Sequence, residues 1–208
     1  MIRLENELDG MPMDAAGEVD RSDMEALQAG QEEALERLVN RHGPVLLRHL
    51  RRMLAHDADA ADLAQETFAR VFLHRDRYDP SRRFSTWLFT IASNLARNHI
   101  RWRRRHGEES MEGGDSFPEG DGSGWHELLP GGGPAPVEAM EQVERSEAIR
   151  RVVDGLPERM RAAILLVDLE DRSVNETAEI LGVPVRTVES RLFHGRRLLR
   201  ERLRFCLG

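Results

Sequence analysis

The chain has 208 residues and a mass of 23.7 kDa, which suits one medium-sized domain or two small ones. Its one cysteine, Cys206, excludes an internal disulfide framework and a cysteine-based zinc cluster. No segment approaches the run of about 20 apolar residues that a membrane span needs, and the acidic N-terminus has no signal-peptide pattern. We therefore expect a cytoplasmic protein with no membrane insertion.

The charged residues fall into blocks of opposite sign. All 30 basic residues are arginines, and the net charge is -7. Residues 75–106 carry nine arginines against two acids, and residues 185–208 carry seven against two. Residues 1–36 and 107–148 instead hold eleven acids each. The two basic blocks are candidates for binding an anionic partner such as nucleic acid.

The helical patterns are interrupted by one segment rich in glycine and proline. Residues 107–137 hold nine glycines and four prolines, which predicts a flexible acidic linker. It separates a helical domain over 22–106 from a second one over 138–208, and residues 1–21 are expected to be a disordered acidic tail. Pro44 indicates a new helix or a kink. The predicted fold class is all-α, with two small helical domains.

A helix over residues 62–74 has two different faces. Its apolar residues share one side, and Asp62, Gln65 and Glu66 lie together on the other. Such a polar face is either solvated or a docking site for an arginine-rich partner. The residues leave both interpretations open.

A second amphipathic helix is predicted over residues 84–105, with an apolar seam facing a cationic, hydroxyl-bearing stripe. The seam consists of Phe84, Trp87, Leu88, Ile91, Leu95 and Trp102. The stripe consists of Thr86, Thr90, Ser93, Arg97, Arg101 and Arg104. Arginine, serine and threonine side chains can grip phosphate oxygens, so the stripe favours nucleic-acid contact over a merely solvated face.

The C-terminal block has the signals of a helix-turn-helix. Ser173 and Glu176 form an S-x-x-E capping box, Gly182 ends that helix, and Pro184 precedes the next one. The second helix is basic, and its outer side carries Arg186, Thr187, Ser190, Arg191, His194 and Arg197. In a helix-turn-helix, this second helix enters the major groove of DNA. An ordinary helical hairpin is the alternative.

Three segments together resemble a known family. They are DADAADLAQETFARVF, RRFSTWLFTIASNLARNHIRWRRR and SVNETAEILGVPVRTVESRLFHGRRLL. Their order and spacing are similar to those of bacterial sigma factors of RNA polymerase, in particular the small extracytoplasmic-function class. The similarity covers residues 23–106 and 138–204. It implies a transcription initiation factor, of a class often used in stress responses, that binds core RNA polymerase and promoter DNA and helps to melt the DNA.

The resemblance also implies residue roles. The positions that match polymerase docking are Asp62, Gln65 and Glu66. The positions that match contact with the −10 element are Asn94, Arg97, Asn98 and Arg101, beside a loop over 78–85 that captures an unpaired base. The positions that match contact with the −35 element are Arg186, Thr187, Glu189, Ser190, Arg191, His194 and Arg197. Glu189 and His194 replace the arginine or lysine of many members. We expect Glu189 to pair with Arg186 and orient it, and direct contact with the amino group of cytosine is the alternative.

Two other classes of nucleic-acid-binding protein, a conventional regulator and a nuclease, are less consistent with the sequence. A conventional helix-turn-helix regulator would share the C-terminal half, but its N-terminal half should hold a ligand pocket or a phospho-acceptor. A nuclease would need clustered carboxylates or paired histidines, which the sequence does not show. The acids that begin at Asp57 lack the turn glycine of a calcium loop, and its twelfth position is Phe68. No catalytic residue, metal or cofactor is predicted, and an anti-sigma factor is the further partner that the family implies.

Overall fold

The computed structural model describes residues 13–54, 56–109 and 151–207, and these ranges are helical with no strand. The helices are α1 Met13–Gln28, α2 Glu33–Leu54, α3 Asp57–Leu73, α4 Phe84–Glu109, α5 Glu158–Ile164, α6 Val174–Leu181 and α7 Val185–Leu207. A further helical segment covers residues 151–154, and a five-residue π-helical turn, Leu165–Leu169, continues α5. The predicted all-α class is confirmed. No helix in these ranges is both long and apolar enough to cross a bilayer.

Helix α1 begins earlier than the sequence indicated. We expected residues 1–21 to be a disordered tail, but α1 starts at Met13 and buries Asp20 and Asp23 against α2. Arg41 donates to Asp20 at 2.6 Å and to Asp23 at 2.8 Å, and these bonds hold the pKa of Asp23 below its usual value although burial acts to raise it. The acids that suggested disorder are therefore the ion-pair partners of a neighbouring helix.

Helix α2 continues through its proline. Pro44 lies inside Glu33–Leu54 on the exposed side, so the expectation of a new helix at this point is wrong. Proline removes one backbone donor, which costs least where water can satisfy the freed carbonyl. The opposite side of α2 packs Leu38, Leu46 and Leu50 into the core, and this burial holds the helix together across the break.

The C-terminal helices form the predicted helix-turn-helix. The Ser173 hydroxyl accepts from the amide of Glu176, the Glu176 carboxylate accepts from the amide of Ser173, and Gly182 ends α6 at φ 63°. At Gly195, α7 passes so close to α5 that an added Cβ would lie 2.6 Å from a carbon of Ile164. Gly195 lets the two helices approach closely, because a larger residue here would require the Ile164 side chain to move.

The two predicted domains pack against each other. Helix α4 of the first lies against α6 of the second, and α2 touches α5 and the turn after it. Buried apolar side chains run continuously from Leu88 and Phe89 to Leu165, Ile180 and others. Helix α4 reaches Glu109, three residues into the predicted linker, and the remainder of that linker lies outside the described residues.

Candidate nucleic-acid interface

We call the polar side of α3 the α3 face: Asp62, Gln65 and Glu66. All three side chains are exposed, and Glu66 accepts a hydrogen bond from Arg70 at 2.8 Å. The structure adds Leu73, which is 68% exposed on the same side, seven residues after Glu66. Sequence reasoning missed it because apolar residues were assigned to the core, although the i, i+4, i+7 spacing placed it with the acids.

The acids before this face have structural partners. Asp59 accepts from His99 and from Arg103, each at 3.1 Å, and Asp57 lies 3.6 Å from Arg51. Across the described ranges, no three side chains of the kinds that bind metals come together. These acids therefore fasten the start of α3 to its neighbours.

The loop over 78–85 is fixed by hydrogen bonds. The buried Tyr78 donates its hydroxyl hydrogen to the carbonyl of Arg82 at 2.7 Å. Asp79 accepts from the amide of Ser81 at 2.9 Å, and its side-chain and backbone bonds with Ser81 lower the pKa of the Asp79 carboxyl. Held in this way, the loop presents Arg82 and Arg83 outward.

We call the predicted downstream-contact residues the α4 face: Asn94, Arg97, Asn98 and Arg101. Asn94, Asn98 and Arg101 are exposed, whereas Arg97 is partly buried and fully bonded. The Arg97 guanidinium donates to the carbonyl of Leu181 in α6 at 3.1 Å, to the carbonyl of Ser93 at 3.2 Å and to the side chain of Asn94. The C-terminal domain thus binds Arg97, the central cation of this face, through the Leu181 carbonyl.

The predicted stripe and seam of α4 need two corrections. Thr86 and Ser93 are 4% and 3% exposed, because α4 packs against α6 on the side that was expected to face water. Trp102, expected in the core, is 53% exposed and stacks on His106 at 4.6 Å. Helix α3 begins beside His99, so the last turns of α4 extend beyond the helix that covers its seam.

We call the outer side of the recognition helix the α7 face. It consists of Arg186, Thr187, Glu189, Ser190, Arg191, His194 and Arg197. Thr187 and Arg191 are partly buried and the others are exposed. Neither Arg186 nor Glu189 forms an ion pair with another described residue, so the expectation that they pair with each other is wrong.

Phe193 is a residue of this side that the sequence analysis overlooked. It is 63% exposed, and its place seven residues after Arg186 puts it on the same side of the helix. Helical spacing would have shown this. Large apolar side chains suit contact with the methyl group of thymine.

Buried charges lie where the domains meet. Arg172 donates to the hydroxyl of Ser85 at 2.8 Å, and its guanidinium lies 4.9 Å from the ring centre of Phe89. Glu170 lies 3.7 Å from Arg52 and 4.0 Å from His49. Burial raises the pKa of Glu170 to about 7, although Arg52, Arg48 and Arg172 act to lower it. Burial, with Arg52 and Arg172, lowers the pKa of His49 to about 3.

Comparisons with known proteins agree with this geometry. The family described as Sigma-70 region 2 matches residues 38–106, and the family described as Sigma-70, region 4 matches residues 146–199. The first match contains the α3 and α4 faces, and the second contains the α7 face. The chain is 32% identical to the ECF RNA polymerase sigma factor SigW of Bacillus subtilis over 178 residues, 86% of this chain and 93% of SigW. It is also 32% identical to the RNA polymerase sigma-H factor of Pseudomonas aeruginosa over 189 residues, 89% of this chain and 94% of that protein.

Solved structures share the fold. CnrH, solved in complex with the cytosolic domain of CnrY, matches with a TM-score of 0.63 at 26% identity, over 89% of this chain and 97% of that one. RpoE of Bartonella quintana, solved with the anti-sigma factor NepR, matches with a TM-score of 0.63 at 21% identity, over 81% of this chain and 96% of that one. The likeness to the second structure concerns the fold alone.

Proposed function

The chain belongs to the extracytoplasmic-function sigma factors of RNA polymerase, and we propose that its three faces divide the work of promoter recognition. As a member, it is a transcription initiation factor that directs RNA polymerase to promoters, and it is not an enzyme. Family membership sets aside the regulator and nuclease alternatives. The roles of particular residues below are our proposals.

The α3 face is proposed to dock on core RNA polymerase. Asp62, Gln65 and Glu66 are exposed, and only Glu66 has an ion-pair partner, which lies on its own helix. Exposed carboxylates and an amide suit an arginine-bearing surface through charge-assisted hydrogen bonds. Leu73 extends the surface with an exposed apolar group, whose removal from water by a partner would favour binding.

The α4 face and the 78–85 loop are proposed to hold the −10 element and to help melt it. Asn98 and Arg101 already face solvent, and Arg97 becomes available when the C-terminal domain moves away. Amide side chains can contact base edges, and arginines can hold phosphates. A surface that binds separated strands stabilises the melted state, which is how binding assists opening.

The α7 face is proposed to enter the major groove at the −35 element, and its free side chains are the observation that carries the proposal. Arg186, Ser190 and His194 are exposed and make no ion pair with the described residues. Arginine commonly contacts guanine through O6 and N7. Because Glu189 has no ion-pair partner in the described part of the chain, we assign it to the amino group of cytosine rather than to positioning Arg186.

The setting of this activity follows from the family. We place the chain in the cytoplasm, where polymerase and promoters are found. We also propose that an anti-sigma factor binds the chain and holds it inactive. Co-purification of such a partner with the full chain from its own cells is the direct check of that proposal.

Run-off transcription on a promoter library tests the residue assignments. Core polymerase with this chain should transcribe a subset of templates that core alone does not, and the selected templates should share two elements. Glu189→Gln should change the preferred base at one upstream position and leave the downstream element unchanged. Selection of identical templates by the wild type and by Glu189→Gln, Arg186→Ala and His194→Ala would remove the α7 face from promoter recognition.

A further inference from the structure

We propose that the C-terminal domain carries an interaction surface for the α4 side of the same chain, where it competes with promoter DNA. The surface is one side of α6 with the residue before its N-cap: Arg172, Glu176, Glu179 and the carbonyl of Leu181. This inference rests on the assignment of the α4 face to the −10 element. It goes beyond that assignment because it makes DNA binding conditional on the separation of the two domains.

The contacts match those that a DNA strand would use. Arg82 donates to Glu179 at 2.7 Å, Arg83 lies 3.6 Å from Glu176, and Arg97 donates to the carbonyl of Leu181. Two of these acceptors are carboxylates, and the third is a carbonyl at the negative end of a helix dipole. Carboxylates and phosphates are both bound by the fork of an arginine. The acidic side of α6 therefore binds the cationic groups that we assign to DNA contact.

The contact extends beyond charge pairs. Arg172 places its guanidinium on the Phe89 ring and bonds Ser85, the second residue of α4. Ser173, Glu176 and Glu179 line an open cleft together with Ser81 and other residues of the loop. A base flipped out towards that loop would meet α6 in the same place.

The same contact contains features that make it easy to separate. The surface pair Arg82–Glu179 is 64% and 46% exposed in its side chains, and exposed pairs contribute only about 0.2–1 kcal/mol. In the described part of the chain, Glu170 Oε1 and His49 Nδ1 are buried without a hydrogen-bond partner, which opposes closure. The Arg191 guanidinium loses hydration beside Arg159 and Arg97, and burial with these like charges lowers its pKa. These contributions offset part of the apolar burial that joins the two domains, so a ligand that binds only the separated domains can displace the contact.

The other two faces remain accessible in the closed arrangement. The α3 face and the exposed part of the α7 face point to solvent while Arg97 is covered. Polymerase can therefore bind the closed chain first, and upstream DNA can bind it as well. The 41 residues from 110 to 150 are long enough to let the domains separate by tens of ångströms.

Energy transfer between labels on the two domains tests this proposal in the full chain. The labels are placed at Asp76→Cys and Arg200→Cys, two exposed positions, in a Cys206→Ser background. The DNA probe is a mixed-sequence single strand of about 20 nucleotides, a length well above the roughly 4–16 nucleotides of a small single-strand site. We expect efficient transfer in the free chain, and a loss of transfer as the strand is added.

Glu179→Gln is the test variant and Glu158→Gln is its matched control, since both remove one negative charge from the same domain. Removing the exposed pair should weaken closure and tighten binding of the single strand by about two- to fivefold. Glu158→Gln should change neither the energy transfer nor the affinity for the single strand. Transfer that does not respond to Glu179→Gln would overturn the closed contact and leave the −10 assignment untouched. A fall in transfer without tighter strand binding would overturn the competition and count against the −10 assignment instead.

Discussion

The α4 face and the α7 face are both rows of arginines and other polar groups along a long helix, but they differ in what lies against them. Arg97 is held by the carbonyl of Leu181 and by its own helix, while Arg186 has no ion-pair partner among the described residues. The difference does not come from composition, because both helices lie in basic blocks. It comes from α6, which turns its acidic side to α4 and leaves α7 outside. A surface rich in arginine is therefore available for DNA only when the fold supplies no internal anion for it.

The largest expected effect is on the free face. Arg186→Ala should weaken binding of the free chain to a duplex carrying the selected upstream element by about 1–3 kcal/mol, or roughly tenfold to hundredfold, because a bidentate guanine contact is lost. Fluorescence anisotropy at fixed salt measures this. Arg204→Ala, on the same helix but about five turns further along, is the control and should have little effect. Equal losses in both variants would show a general charge effect rather than a specific contact.

The second prediction concerns the other free surface, the α3 face. Asp62→Arg with Glu66→Arg should weaken binding to core polymerase by about tenfold or more, since charge-assisted hydrogen bonds are worth about 1.5–3 kcal/mol. Circular dichroism should show unchanged helicity. Glu18→Arg with Asp76→Arg makes the same charge change at exposed positions elsewhere on the domain. If that pair weakens binding as much, docking is not located on α3.

The third prediction concerns the pH dependence of the closed arrangement, in which α6 covers the α4 face. Closing buries Glu170 and raises the pKa of its carboxyl from an ordinary value near 4.5 to about 7, so closing takes up a proton between these pH values. This group therefore favours the closed form below about pH 4.5 and loses that effect as the pH rises to about 7. Closing also buries His49 and lowers the pKa of its imidazole from an ordinary value of 6.5 to about 3, so closing releases a proton between these pH values. This group therefore favours the closed form above about pH 6.5 and loses that effect as the pH falls. Arg48, Arg52, Arg172 and Asp171 are the charged groups that act on Glu170. The two effects oppose each other, and wild-type closure should be nearly constant between about pH 5 and 6.

Glu170→Gln removes only the proton uptake. Energy transfer between the labelled domains should then fall with decreasing pH, with closure weakening by up to about tenfold per pH unit below 6.5. His49→Gln should show the opposite trend, with stronger closure as pH falls from 7. Identical pH profiles for these two variants would show that the groups keep their surroundings when the domains move.

The smallest expected effect is on the covered face itself. Arg97→Ala with Arg101→Ala should lower promoter opening by the polymerase complex by about fivefold and reduce the salt slope by about two units, as two phosphate contacts are lost. The free chain should bind upstream duplex DNA as well as the wild type does, because the α4 side is occupied by α6. Opening can be followed with a fluorescent base analogue in the −10 region. Weaker duplex binding by the free variant would mean that the α4 face is open without polymerase.

The sequence predicted the features that depend on neighbours in the chain. Ser173, Glu176 and Gly182 lie within ten residues of one another, and their capping and turn roles follow from local geometry, which the structure confirms. The exposed positions of Asp62 and Arg186 likewise follow from helical spacing. These features need no knowledge of a second domain.

The features that were predicted wrongly depend on distant partners. Ser93 was placed in solvent because a helical pattern cannot show that α6, more than 80 residues later, covers it. Asp20 was placed in a disordered tail because its partner Arg41 belongs to another helix. Trp102 was placed in the core because spacing alone does not show where the covering helix ends.

The close crossing at Gly195 has a consequence for engineering. Because α7 meets Ile164 at the buried Gly195, the side chains that point outward from the recognition helix take no part in this contact. Those outward residues can be exchanged for another set while the scaffold keeps its geometry. The chain is thus suited to reprogramming, in which a transplanted outer face would redirect one polymerase to a new, orthogonal group of genes. Gly195 would be the position that such designs must leave unchanged.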